Sequence, residues 1–539
     1  MPSLFQWMSV SIALFAAPVW CVENPPAAAV TGGRIEGSVL ERGGAVFKGI
    51  PFAQPPVEAL RWREPQPLKP WTGVRAATSF GPPCAQNSGN GRILENSSED
   101  CLYLNVWTPE WPSRTRKPVM FWMHGGGNFG GATGSPNFDG ESLARHGVVL
   151  VSAAYRLTAF GFFAHPELTR ESPHHASGNY GLMDQIAALQ WVRANIARFG
   201  GDPGNVTIFG QSAGAVDATV LMTSPLAAGL FHKVIAESGT VTRNPDAATL
   251  AMTALGPVMP VKSGDVTYSD APALAEAEKN GEELAQMLQA PATGSLRYLR
   301  SLPAADILKV TASPQKSIGP ANGVEVDGWV LPRPPAEVFA TGHEFRVPLL
   351  AGNNSRERTP RTTPEDLTRA IEAMYGPLAT RAFALYHPPD FDKSAPDPLY
   401  GDAGAQWTVD TMYRCPVVAE LSWHTGAKNA AWEYQFDLAA PGREAIGAVH
   451  GAEVPYVFGT LGPKYAEVDR GISEVIQKYW TNFAKTGNPN DASLPAWQGF
   501  SDPARAYLEF TSEGPVLAEG LRMPYCGLYI ENVKRLMKR

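Results

Sequence analysis

An α/β fold built on a mostly parallel sheet is what this sequence predicts, on three observations. Short apolar runs alternate with helical patterns, the runs are apolar on both faces, and no internal repeat or long low-complexity linker divides the chain. Strands apolar on both sides suit a parallel sheet covered by helices on each face. A strand, helix, strand order along the chain implies the same sheet.

The elements follow in order. Residues Met1 to Trp20 are mostly apolar without a charged side chain, and Cys21 opens a polar and then small-residue stretch. This outline predicts a signal peptide over 1–21 and export to the periplasm or exterior. The alternatives are a buried N-terminal helix and a lipid-modified Cys21, the latter disfavoured by bulky Trp20. The run is short for a membrane span of about 20 residues, and no later stretch reaches that length uncharged, so no integral membrane segment is expected.

Val119–Met123, Val148–Ala154, Val206–Phe209, Val234–Ala236, Val347–Ala351 and Trp432–Phe436 read as buried strands. Between two of them Leu182, Ile186, Leu189, Val192, Ile196 and Phe199 recur at helical steps, predicting one apolar face and a stop at Gly200-Gly201-Asp202-Pro203. Residues 255–320 lack strand signals and hold a helix near 272–290, with Leu274, Ala277, Leu284 and Leu288 on one face. They read as a cap-like insertion over the C-terminal edge of the sheet. A last amphipathic helix carries Ile472, Val475, Ile476, Tyr479, Trp480 and Phe483, and ends at Gly487-Asn488-Pro489.

The composition fits this plan. The 539 residues carry a net charge of −7, are 44% hydrophobic and 18% charged, and so form a core rather than a disordered chain. A mild acidic excess argues against a nucleic-acid partner, which needs clustered Lys and Arg. If Cys21 leaves with the leader, Cys84, Cys101, Cys415 and Cys526 remain, an even set that suggests two disulfides with three possible connectivities. Cys84 and Cys101 bracket a Gly/Asn/Ser-rich loop whose closure is worth about 3 kcal/mol. Four buried free thiols are the alternative.

The chemistry centres on Gly210-Gln211-Ser212-Ala213-Gly214, between a predicted strand and a helical segment. A tight strand–turn–helix there would expose the Ser212 hydroxyl and aim helix N-terminal amides at a developing oxyanion. Serine needs a base, and the base an orienting carboxylate. His450, in a loop after the strand 432–436, is the best base. Glu357, just past the strand 347–351, is the best acid, with Asp327 and Asp410 competing by chain order. His124-Gly125-Gly126-Gly127 follows the strand 119–123, where bare amides can approach an oxyanion. His124 itself is expected to position this loop rather than move protons. No metal-ligand spacing, phosphate loop or dinucleotide fingerprint occurs, so no metal or cofactor is expected.

With those motifs on the page, the sequence resembles the type-B carboxylesterase family of α/β-hydrolases, the group that includes cholinesterases and fungal lipases. Phe47–Ala53 and Pro70–Val74 resemble its N-terminal signature, and Glu99-Asp-Cys-Leu-Tyr-Leu-Asn-Val106 its second signature. Asn179–Gln185 and Phe199–Pro203 lead into the elbow as they do in the family. The resemblance implies an α/β-hydrolase catalytic domain over 30–539, with Ser212 as nucleophile, His450 as base and Glu357 as acid. It places the oxyanion amides at Gly126, Gly127 and Ala213, and implies a Ser238 that hydrogen-bonds behind the histidine. It also implies the pairs Cys84–Cys101 and Cys415–Cys526.

Two departures stand out. The catalytic acid is flanked as Arg356-Glu357-Arg358 with Arg361 close by, so these arginines either bind substrates carrying free carboxylates or are solvated loop residues. Gln211 stands where cholinesterases carry Glu, which argues against a cationic choline substrate. The expectation is a serine carboxylesterase acting on small-molecule esters. The alternatives are a triacylglycerol lipase and a catalytically silent, cholinesterase-like adhesion module. An intact set of Ser, Glu, His and oxyanion loop speaks against the last.

Overall fold

The computed structural model describes residues 25–88, 91–242, 271–311, 323–358, 363–388 and 396–538. The signal peptide expected over 1–21 lies outside the described residues, as does Arg361. Among the described residues are fourteen strands: β1 (Ala27–Val30), β2 (Gly33–Glu36), β3 (Ser38–Val39), β4 (Ala45–Pro51), β5 (Val74–Ala76), β6 (Tyr103–Thr108), β7 (Lys117–Met123), β8 (Val149–Ala153), β9 (Gly201–Gln211), β10 (Lys233–Glu237), β11 (Leu349–Asn354), β12 (Ala431–Phe436), β13 (Ala506–Thr511) and β14 (Gly514–Glu519).

Eleven of them form one sheet in the order β14-β13-β12-β11-β10-β9-β7-β8-β6-β4-β3. The run β8-β7-β9-β10-β11-β12-β13 is parallel throughout, with antiparallel strands added at both edges. A small sheet β1-β2-β5 stands apart. Every predicted strand is found, within a few residues at its ends. This is the α/β-hydrolase plan of a central sheet flanked by helices.

Side-chain alternation divides the core into two layers. On β7, Val119, Phe121 and Met123 enter one layer while Met120 and Trp122 enter the other. The second layer is aromatic: Trp122 lies 4.8 Å from both Phe209 and Phe458, ring centre to ring centre.

Four helices matter for the site: α1 (Tyr180–Asn195), α2 (Ala213–Leu221), α3 (Cys415–Gly426) and α4 (Glu467–Thr486). The sequence predicts a single apolar face for α1. Instead it is buried nearly all round, and its polar residues are matched inside: Asp184 holds the Arg156 guanidinium at 2.8 Å, and Gln185 donates to Asp217. Buried charged and amide groups such as these are tolerated where they find partners. The predicted stop is real, since Gly200 takes φ 81°, and β9 starts directly after it. The tail helix α4 buries Ile472, Ile476, Tyr479, Trp480 and Phe483 as expected and ends at Gly487, φ 81°.

Within the predicted insertion, helices span Leu274–Met287, Ser295–Ser301 and Ala304–Thr311. Ala277, Leu284 and Leu288 are buried and Leu274 is half-buried. The Glu167 carboxylate accepts the N–H groups of Ser295 and Leu296, an acidic cap on a helix N-terminus. Two disulfides form, Cys84–Cys101 and Cys415–Cys526, the second joining the start of α3 to the C-terminal helix Met523–Leu536. Among the described residues no helix is long and apolar enough to cross a membrane.

Candidate active site

The parallel run places the predicted residues at one end of the sheet. Ser212 follows β9, Ser238 follows β10, Glu357 lies three residues beyond β11, and His450 lies in the loop after β12. These strands are consecutive neighbours, so chain positions far apart are laid side by side.

Ser212 sits between the last residue of β9 and the first of α2, with φ 57° and ψ −122°. Positive φ is strained for a side chain with a Cβ and clusters at functional turns. Its N–H donates to the Glu237 carbonyl at 2.8 Å, fastening the turn to the end of β10. The turn is tight enough to require glycine at 214, where an added Cβ would lie 2.1 Å from the Met123 carbonyl oxygen. Ala213 opens α2, so its N–H has no intrahelical acceptor.

The 124–127 loop lies directly against this turn: a Cβ on Gly125 would be 3.0 Å from the Ser212 Cβ. Gly126 takes φ 115°, and a Cβ there would come within 2.0 Å of the Gly130 carbonyl oxygen. Among the described residues, no main-chain carbonyl accepts the N–H of Gly126 or Gly127. An oxyanion site needs amides left free in this way.

His124 is buried, and that burial holds its imidazole down to about 4, so it is neutral at neutral pH. Its Nδ1 lies 2.8 Å from the Gly125 carbonyl. It positions the loop, as expected. Beneath it is a network that sequence reasoning did not identify. Asn128 Nδ2 donates to Asp217 Oδ1 at 3.1 Å, and Gln185 Nε2 to Asp217 Oδ2 at 2.6 Å. Burial pushes the Asp217 carboxyl up to about 7, against the pull of those two amides.

Glu357 and His450 are joined twice. Glu357 Oε2 accepts from His450 Nδ1 at 2.6 Å, and the Glu357 carbonyl accepts the His450 N–H at 3.0 Å. The carboxylate is buried, its other oxygen taking the Asn354 N–H at 2.7 Å. Asn354 in turn donates its side-chain amide to the Val449 carbonyl and to Glu453, tying the acid loop to the base loop. With Nδ1–H donated to Glu357, His450 Nε2 presents its lone pair. The carboxamide of Gln211 meets it at 3.2 Å. Tyr413 packs beside the imidazole, ring centres 5.1 Å apart.

The rival acids are engaged elsewhere. Asp327 closes its own turn by accepting the N–H groups of Trp329 and Leu331. Asp410 pairs with Arg414 at 2.5 Å and Arg522 at 2.8 Å. Arg414 also donates to the Ser355 carbonyl, bracing the loop that carries Glu357.

Three expectations need correction or division. Arg356 is not a solvated loop residue: its guanidinium donates to the carbonyls of Asp397, Pro398, Leu399 and Ala445. Arg358 is different. It is exposed, and its Nε donates to the Tyr413 hydroxyl at 3.3 Å, one ring away from His450. The Ser238 N–H donates to the Gly352 carbonyl, and its hydroxyl is buried with no partner among the described residues, so none of them takes a bond from it behind the histidine.

Comparison with known proteins supplies the family. The carboxylesterase family model covers residues 24–255 and 260–528. The chain is 35% identical over 502 residues to fumonisin B1 esterase of Sphingopyxis macrogoltabida, covering 87% of this chain and 83% of that one. It is 34% identical over 550 residues to liver carboxylesterase of Sus scrofa, covering 93% and 92%. Among solved structures, a PNB esterase superposes with a TM-score of 0.76 at 32% identity, over 93% of this chain and 100% of that one. The chain belongs to the carboxylesterase family and is a serine-type carboxylic ester hydrolase.

Proposed function

We propose that Ser212, His450 and Glu357 are the nucleophile, general base and orienting acid of this esterase. Ser212 Oγ attacks the ester carbonyl as His450 Nε2 takes its proton. The imidazolium is held by Glu357, and the oxyanion rests on the amides of Gly126, Gly127 and Ala213. His450 then protonates the leaving alcohol, and water attacks the acyl-enzyme by the same path. The observation that carries this reading is the buried 2.6 Å bond from Glu357 to His450, beside a serine held at φ 57°.

We further propose that the preferred esters carry a free carboxylate, read by Arg358. Arg358 is an exposed residue anchored through Nε on the Tyr413 hydroxyl, and the rest of its fork would take a substrate anion near the scissile bond. The likeness to fumonisin B1 esterase fits esters of this kind. The helices between Leu274 and Thr311 are proposed to belong to a cap over the site, and the two disulfides support work in an oxidising, exported setting.

A panel of p-nitrophenyl esters with neutral and carboxylate-bearing acyl groups tests both parts. Ser212→Ala should abolish hydrolysis with circular dichroism unchanged; retained activity would remove the nucleophile assignment. Arg358→Ala should raise KM about tenfold for the acidic esters and hardly at all for neutral ones. Equal effects on both would refute the substrate reading.

A further inference from the structure

Gln211 reaches both halves of the site. It ends β9, immediately before Ser212, and is buried. Its carboxamide nitrogen lies 3.2 Å from His450 Nε2, while its carboxamide oxygen abuts the oxyanion loop, 2.8 Å from where a Gly125 Cβ would stand. The direction of the bond follows from the tautomer. In the neutral ring, with Nδ1–H donated to Glu357, Nε2 can only accept, and of the Gln211 carboxamide only the nitrogen can donate to it.

We infer that Gln211 is a positioning residue that holds the His450 ring with its reacting lone pair aimed at the elbow until Ser212 takes that place. A donor on an imidazole nitrogen stabilises the neutral ring and is lost when that nitrogen gains a proton. The same contact fixes the ring about its bond to Glu357, because both nitrogens are engaged. Glutamate in this position would do the opposite, accepting from a protonated ring and favouring it.

The other groups facing the imidazole are Glu357 after β11, Tyr413 and its partner Arg358, Glu453 reached through Asn354, and Glu237 at the end of β10, whose carbonyl holds the Ser212 amide. None of them is altered by a change at 211, so a shift in pH dependence reports on this contact. The inference rests on the proposed roles of Ser212 and His450.

The experiment is the pH profile of kcat/KM for p-nitrophenyl acetate in wild type, Gln211→Met and Gln211→Glu, with a fluorophosphonate label mapped by mass spectrometry. Gln211→Met keeps the length and removes the donor. Its acidic limb should move up by about half to one pH unit, the worth of one hydrogen bond. Gln211→Glu should move it further in the same direction, and serves alone if the Met variant does not fold. An acidic limb that stays in place, with the label on Ser212, would overturn the inference and leave the proposed nucleophile standing. A label on another residue would overturn both.

Discussion

Tyr155 stacks on His124 with ring centres 4.6 Å apart and 21° between the planes, and donates its hydroxyl to the carbonyl of that same residue at 2.8 Å. The hydroxyl is also 3.1 Å from Asn128 Oδ1. One side chain thus holds the oxyanion loop at its start and again four residues on. Asn128 passes the restraint to Asp217 on α2, the helix that opens with Ala213. Loop and elbow are therefore braced as one body, which is what preorganised amides require.

Tyr155→Phe keeps the stacked ring and deletes the hydroxyl. The expected result is a fall in kcat of about fivefold with KM little changed, equivalent to about 1 kcal/mol felt mainly in the transition state. Steady-state kinetics on a neutral ester measure it. An unchanged kcat would show that the loop is rigid without this support.

Arg356→Ala should act on stability and not on substrate choice. Losing a guanidinium that ties residues 397–399 and 445 to the acid loop should cost about 2 kcal/mol, read as a lower urea midpoint. KM for acidic and neutral esters should move together. A selective rise for acidic esters would return Arg356 to the substrate.

Glu237 gives the fold a pH dependence of its own. Burial pushes its carboxyl from 4.5 up to about 8, against the pull of Trp480 Nε1, which donates to it at 2.8 Å. The folded chain keeps this proton where the unfolded chain has released it. Its stabilising effect is therefore complete below about pH 4.5 and is lost as the pH climbs toward 8. Glu237→Gln stays neutral and still accepts from Trp480. Relative to wild type it should gain on the order of 2 kcal/mol between pH 5 and pH 8. Urea denaturation at the two pH values decides, and a constant difference between the proteins would refute it.

What the sequence disclosed was what is local in it. The strands that carry the site are apolar runs, and the glycine spacing around Ser212 and Gly126 is dictated by contacts within a few residues. Those were legible. The roles of the arginines beside Glu357 were not, because the carbonyls that take Arg356 come from residues 397–399 and 445, and nothing near position 356 announces them. Tyr155, Asn128 and Asp217 were hidden for the same reason: each is an ordinary residue until the sheet brings β8, the glycine loop and α2 together. Asn354 alone could have been suspected, lying in the polar run Asn353-Asn354-Ser355 at the end of an apolar strand. The single apolar face read for α1 failed because a helix pressed between layers can bury polar residues that have partners there.

Strands β10 and β11 pair in register from Val234 with Leu349 to Glu237 with Gly352, yet the chain leaves one at Glu237 and returns to the other only at Leu349. The return point is set by the sheet, not by the journey, and the entropic cost of a longer excursion rises only slowly with its length. Such an excursion is a natural module. It can lengthen, shorten or be exchanged among relatives while the serine turn on one side and the acid loop on the other keep their spacing, so new substrate ranges can be tried without re-inventing the reaction.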